Sequence, residues 1–134
     1  MKENSQIEIS QLGRFLPFFG ILHVYIAYME IYIFDYGFMH KMANIVMGFS
    51  GIGLMLGGIG IFKKKLWARR LVIGSCIVLI LLNVGRIVHK VVLGELEIYE
   101  RHPGIFFDLF LLWFYIMPVI ILTRTSIKKQ FNSN

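Results

Sequence analysis

Four long apolar stretches alternate with short polar ones along the 134 residues of the chain. They cover residues 15–34, 43–62, 71–92 and 105–123, and each is within the roughly 17–25 residues that a transmembrane helix needs. Helices are expected because hydrocarbon offers the backbone no hydrogen-bond partner. Short connections make neighbouring helices antiparallel. The pattern predicts an all-α, polytopic protein, with four transmembrane helices in one antiparallel bundle and residues 1–134 in one membrane domain.

The two polar flanks are expected to lie outside the hydrocarbon. Residues 1–14 carry a weak amphipathic pattern and predict a short interfacial segment or a frayed end. The tail, 124–134, is basic and polar and is expected to be loose past Phe131. The first apolar stretch is expected to remain in the protein, because it carries His23 and Glu30 and no A-x-A-like cleavage site follows it.

Composition and charge strengthen the membrane interpretation. The chain is 57% hydrophobic, above the roughly 45–50% of soluble domains. Its net charge of +6 does not indicate nucleic acid, because the basic residues cluster before the first stretch, between the second and third, and after the fourth. This is the positive-inside pattern. It predicts a bacterial cytoplasmic membrane, cytoplasmic termini, and lipids as partners. The clustered residues are Lys2, Arg14, Lys63, Lys64, Lys65, Arg69, Arg70, Arg124, Lys128 and Lys129.

Glycines are concentrated in the second stretch. Gly53 and Gly57 form a G-x-x-x-G motif, and Gly51 and Gly58 lie seven residues apart. Small residues allow two helix backbones to approach closely in lipid. The motif is therefore either a dimerisation face or a packing face within one bundle. Packing within the bundle is favoured, while a homo-oligomer or a larger membrane complex stays open.

Charged side chains within the apolar stretches predict a polar layer. With cytoplasmic termini, Arg86 lies about six residues, or roughly 9 Å, from the outer end of its helix. Glu30 and Asp108 fall at a similar level on two other helices. Because a charge facing lipid is costly, we expect Arg86 to pair with both carboxylates. Asn83 is expected as a hydrogen-bonding neighbour, with His89 beside Arg86.

A second polar pair is predicted nearer the midplane. His23 precedes Glu30 by seven residues, and Tyr115 follows Asp108 by seven, so each shares a helix face with its carboxylate. Both fall at one depth, which predicts a hydrogen bond between His23 and Tyr115.

Metal and cofactor chemistry have little support in the sequence. External histidines and acids could assemble a metal site, but they form no compact ligand motif. His23 has no second histidine at its depth to complete a b-haem. Cys76, the single cysteine, is expected to act as a small hydrophobe. The sequence therefore predicts no metal, no cofactor and no catalytic residue. The external residues are His40, His89, His102, Asp35, Glu95 and Glu97.

Three functions remain in view. The first is a non-enzymatic accessory, binding or regulatory subunit, whose outer-leaflet polar pocket holds a small ligand or lipid headgroup. The second is a small oligomeric transporter or channel that uses the layer of Glu30, Arg86 and Asp108. The third, and least favoured, is a membrane redox or lipid enzyme.

Two interfacial motifs point to known proteins. The hairpin LWARRL, 66–71, and the end ILTRTSIKKQF, 121–131, resemble segments of small bacterial four-helix integral membrane proteins. In that group a basic loop with Trp-Ala-Arg opens the third helix, and a basic tail ending in Phe closes the fourth. The resemblance implies fold and topology, and no activity.

Overall fold

The computed structural model describes residues 2–32, 38–92 and 104–132, and over these residues the chain is helical, with no strand. Five helices make up nearly all of this part of the chain. They are α1 (Lys2–Tyr32), α2 (Phe38–Phe62), α3 (Leu66–Val92), α4 (Gly104–Thr123) and α5 (Thr125–Asn132).

Three of these helices are long and apolar enough to cross a membrane. The qualifying spans are Ile7–Tyr32, His40–Phe62 and Leu66–His89. The apolar helix Asp108–Thr123 is shorter. Helices α2, α3 and α4 end at residues 62, 92 and 123, where the apolar stretches end. Of the two loops predicted at 35–42 and 93–104, the first is wrong over residues 38–42, which form the start of α2, while residues 35–37 and 93–103 lie outside the described residues.

Successive helices pack against one another and run antiparallel. Along the α1–α2 contact, Gly13 lies against Phe62, Gly20 against Gly51, and Ala27 against Gly48. Numbers that rise on one helix therefore fall on the other. The contacts of α2 with α3 and of α3 with α4 follow the same rule. Helices α1 and α4 meet through side chains, since the rings of Phe19 and Phe114 stack at 3.9 Å between centroids.

The glycines of α2 pack against other helices of the same chain, on two faces of α2. Gly51 and Gly58 face α1, where an added Cβ would lie 2.8 Å from the Gly20 carbonyl oxygen and 2.5 Å from Pro17 Cδ, respectively. Gly53 and Gly57 face α3, where an added Cβ would overlap Ser75 and Val72. Packing within the chain therefore accounts for all four predicted glycines, as the favoured alternative required.

Both flanks differ from the sequence prediction. Residues 2–14 continue α1, with Ile9 buried, so the frayed end is wrong, while the interfacial location stays a prediction. The tail forms α5, in which Ile127 and Phe131 are buried. The reason is packing: α5 contacts α1 and α3, so its two apolar side chains are covered instead of facing water. The tail was not predicted as a helix; the expected looseness past Phe131 concerns residues 132–134, of which Asn132 belongs to α5 and the last two lie outside the described residues.

The connection between α2 and α3 is a tight helix stop. Lys64 has a left-handed backbone, with φ of 53°. Its N–H donates to the Ile61 carbonyl at 2.8 Å, and the Lys65 N–H donates to the Gly60 carbonyl at 2.9 Å. These are the two hydrogen bonds of a Schellman motif, which usually places glycine at the left-handed position.

The hairpin and the tail meet at this end of the molecule. The Arg69 Nε–H donates to the Leu122 carbonyl at 2.7 Å, which satisfies a carbonyl in the last turn of α4. Arg124 pairs with Glu8 at 3.4 Å on the surface. Basic residues that the sequence explained by topology alone thus also tie α1, α3 and α4 together.

Candidate functional site

A cavity of about 270 Å³ lies between the four long helices. Every one of these helices supplies part of its wall, and most of the wall is apolar. Six of the seven predicted polar residues line it, and two of these, Glu30 and Arg86, stand at its more exposed side. The polar lining residues are His23, Glu30, Asn83, Arg86, Asp108 and Tyr115, so that only His89 is missing from the predicted set.

Arg86 on α3 joins two other helices. Its Nη2 group donates to Glu30 Oε2 of α1 at 3.2 Å and to Asn44 Oδ1 of α2 at 2.9 Å. The Arg86 and Glu30 side chains retain 35% and 27% of their exposure, so this pair stands at the edge of the cavity. The predicted ion pair between Arg86 and Glu30 is confirmed.

Asn44 is the residue that sequence reasoning missed. It is fully buried, and its carbonyl oxygen accepts from Arg86. A usable signal existed: Asn44 lies near the outer end of the second apolar stretch, at the level assigned to Arg86.

Asp108 is buried in the wall of the same cavity. Its backbone carbonyl accepts from Asn83 Nδ2 at 3.2 Å, which confirms that α3 and α4 are joined at the predicted level. The pairing of the Asp108 carboxylate with Arg86 stays a prediction.

Two buried amides have fixed orientations and one unused atom each. Asn83 points its nitrogen at a carbonyl that can only accept, so its Oδ1 is the remaining atom. Asn44 points its oxygen at a guanidinium that can only donate, so its Nδ2 remains. Neither remaining atom has a hydrogen-bond partner among the described residues. A buried polar atom without a partner is costly, and Asn83 lines the cavity, so its Oδ1 marks a place where a donor group of a ligand would be favoured.

His23 and Tyr115 form the predicted hydrogen bond beneath the charged layer. His23 Nδ1 lies 2.7 Å from the Phe19 carbonyl, and His23 Nε2 contacts the Tyr115 hydroxyl. The carbonyl requires the proton on Nδ1, so in the neutral ring Nε2 accepts from the Tyr115 hydroxyl. The phenolic oxygen keeps lone pairs for a further donor, and Tyr115 lines the cavity.

His89 is exposed, does not line the cavity, and lies close to the start of α2. Its ring is edge-on to that of His40, at 6.2 Å between centroids. In the part of the chain that the structure describes, no group of three or more His, Cys, Asp or Glu residues is placed to hold a metal. His102, Asp35, Glu95 and Glu97 lie outside the described residues.

No protein-family model, curated protein or solved structure matches the chain. The resemblance of its hairpin and tail to small four-helix membrane proteins therefore stays a prediction, and the site alone has to support a function.

Proposed function

We propose that the chain is a non-enzymatic, four-helix integral membrane protein of a bacterial cytoplasmic membrane, with both termini in the cytoplasm. Its cavity binds a small ligand or a lipid headgroup from the outer leaflet. In this role it is a binding or accessory subunit, either alone, as a homo-oligomer or within a larger membrane complex.

The membrane part of the proposal is supported by length, surface and charge. Three helices are long and apolar enough to span a bilayer. Large apolar side chains such as Phe18, Phe49 and Leu81 are more than 60% exposed, which suits contact with lipid. The end of the molecule where Arg69 and Arg124 lie carries most of the basic residues, as the positive-inside rule requires of the cytoplasmic side.

The binding part rests on one observation: the cavity has a polar wall in which the buried Asn83 Oδ1 has no partner among the described residues. A polar layer that served only to fix helix register would be expected to satisfy its own groups. A ligand that donates to this oxygen would offset the free-energy cost of burying it.

Filling the cavity tests this function. Ala43 lines the cavity, so Ala43→Phe is expected to displace a bound molecule. Ile45 lies two residues away on the same helix and is 39% exposed, so Ile45→Phe is the matched control. Native mass spectrometry of protein extracted with its membrane lipids should show an adduct on the parent and on Ile45→Phe that is lost from Ala43→Phe. An adduct pattern identical in all three proteins, or no adduct in any, would contradict binding in the cavity.

The transporter alternative predicts a different result. Purified protein in liposomes would then move protons or ions, and Ala43→Phe would block the flux while Ile45→Phe would not. Under the binding proposal, none of the three proteins raises the flux above that of empty liposomes.

A further inference from the structure

The buried part of the cavity offers mainly hydrogen-bond acceptors. Asn83 Oδ1 has no partner among the described residues. The Tyr115 oxygen keeps its lone pairs as acceptors while its O–H donates a hydrogen bond to His23. The Asp108 carboxylate stands in the same wall. By contrast, the strong donor, Arg86, lies at the half-exposed side and already contacts Glu30 and Asn44. A ligand that reaches the buried part therefore needs donors.

The formal charges of the side chains that line the cavity also favour a ligand with donors. The lining side chains include two carboxylates, Glu30 and Asp108, and one guanidinium, Arg86. An anionic ligand would meet both carboxylates and a guanidinium already paired with one of them. Two carboxylates against one guanidinium favour a cation over an anion by net formal charge, and an ammonium carries three donors for the acceptors.

The volume of the cavity limits the size of the rest of the ligand, apart from its donor group. A cavity of about 150 Å³ accommodates benzene, so about 270 Å³ has room for a six-membered ring or a short chain with one polar substituent. The walls facing this body are apolar: Leu22, Ile26, Met47, Leu79, Leu82 and Leu111. Leu22 is also 38% exposed, so the cavity reaches the outer surface of α1.

The geometry points to a primary ammonium group on a small apolar body as the ligand class of this cavity. The assignment rests on the proposed binding function and narrows it. Two sources carry this chemistry: a free lipophilic amine, and the ethanolamine headgroup of a phospholipid whose chains stay in the bilayer. In both, the ammonium donates to Asn83 Oδ1 and lies next to the Asp108 carboxylate.

Three probes with the same six-membered ring and different charge test the class. Cyclohexylammonium, cyclohexanol and cyclohexanecarboxylate are titrated by calorimetry into the full chain, held in phosphatidylcholine nanodiscs that contain no primary amine. Empty nanodiscs give the partitioning background. The ammonium is expected to bind at least tenfold more tightly than the alcohol, because hydrogen bonds from a charged donor are stronger than those from a neutral one. The carboxylate is expected to show no binding above background.

Two variants test whether the preference for the ammonium over the alcohol depends on side chains of the cavity wall. Asn83→Leu removes the acceptor and Asp108→Asn removes the charge while keeping the volume. Each is expected to weaken ammonium binding by about 10- to 100-fold, the equivalent of one charge-assisted hydrogen bond. Alcohol binding should change much less in Asp108→Asn. The ratio of ammonium to alcohol affinity is compared within each protein, so a change in stability does not affect the result. Ile45→Phe is the control expected to keep the parental ratio.

A second titration distinguishes the two sources. The parent is reconstituted in nanodiscs with and without phosphatidylethanolamine. If the lipid is the source, its presence raises the melting temperature of the parent but not of Asn83→Leu, and it weakens cyclohexylammonium binding by competition. If the source is a free amine, the lipid changes neither quantity. Both results support the ligand class.

The proposal is overturned if the carboxylate or the alcohol binds as tightly as the ammonium, or if both variants keep the parental ratio. Such a result leaves binding in the cavity intact whenever Ala43→Phe still abolishes it. If no probe binds and the Ala43→Phe and parental proteins also carry the same adducts, the proposed function fails as well.

Discussion

Arg86 has two partners of different character, and their contributions should differ. Glu30 and Arg86 are both partly exposed, so their coupling is expected to stay below about 1 kcal/mol. Asn44 is fully buried, and a hydrogen bond to a charged group is worth about 1.5–3 kcal/mol. Double-mutant cycles that combine Arg86→Leu with Glu30→Gln, and Arg86→Leu with Asn44→Leu, should give the smaller coupling energy for Glu30 and the larger one for Asn44. The measurement is thermal unfolding in nanodiscs. A larger coupling for Glu30 would mean that the buried amide is a minor partner.

A further double-mutant cycle tests the predicted pairing of Arg86 with Asp108. If the two side chains interact, Arg86→Leu and Asp108→Asn should show a coupling above about 0.5 kcal/mol. Additive effects would assign Asp108 to the cavity wall alone. Leu109, on the same helix and half exposed, provides the control through Leu109→Ala, which is expected to be additive with Arg86→Leu.

Depth counting predicted the contacts that depend only on helix register. Arg86 with Glu30, and His23 with Tyr115, follow from distance along each helix and a seven-residue spacing. The unused atoms of Asn83 and Asn44 could not be predicted in this way. Which atom of an amide is left without a partner depends on side-chain rotation and on distances of a few tenths of an ångström.

Glycine substitutions should separate close packing from open surface. An added Cβ at Gly57 would overlap Val72, whereas at Gly74 of α3 nothing lies within 4 Å. Gly57→Leu is therefore expected to destabilise the protein by about 1–3 kcal/mol or more through overpacking, and Gly74→Leu should have little effect. Thermal unfolding in detergent is the measurement. Equal melting temperatures for the two variants would be inconsistent with close approach of α2 and α3.

Lys64 offers a stabilising substitution. An L-residue in the left-handed region is strained by about 1–2 kcal/mol, and glycine is free of that strain. Lys64→Gly should therefore raise the melting temperature, with a gain of about 1 kcal/mol after the added flexibility of the unfolded chain is subtracted. Lys63→Gly removes the same charge without relieving a left-handed residue, and it should be neutral or destabilising. A higher melting temperature for Lys63→Gly than for Lys64→Gly would contradict the helix stop.

The extent of the helices was only partly predictable. Hydropathy locates the part of a helix that suits hydrocarbon, and this gave the ends of α2, α3 and α4. It does not detect helix that continues into polar flanks, such as residues 2–14 of α1, 38–42 of α2 and 66–70 of α3. The tail was missed for a related reason, because Ile127 and Phe131 are only two apolar residues in a basic segment.

The topology of the whole molecule can be tested by labelling. In a Cys76→Ser background, single cysteines replace Phe38 at the start of α2 and Lys63 at its end; both positions are exposed. If the basic end is cytoplasmic, an impermeant thiol reagent applied to intact cells should label position 38 and leave position 63 unlabelled until the cells are opened. The reverse pattern would invert the orientation and place the cavity in the inner leaflet.

For the molecule as a whole, the sequence predicted the succession of antiparallel helices and the level of the polar layer, because both follow from spacing and charge. It could not predict the cavity. The space left beside His23 and Asn83 depends on how side chains such as Phe19 and Phe114 separate α1 from α4, and that is a property of packing in three dimensions.

The burial of Ile9 together with Phe131 bears on how the protein is made. Synthesis proceeds from the N-terminus at about 5–20 residues per second, so the contacts of α5 with α1 and α3 form only after residues 125–132 have left the ribosome. The contacts among α1, α2, α3 and α4 can form earlier, but this end of the molecule is complete only after translation has passed residue 131. A chain that stops at residue 124 lacks the buried side chains of Ile127 and Phe131, so it is expected to unfold and to be degraded more readily than the full chain.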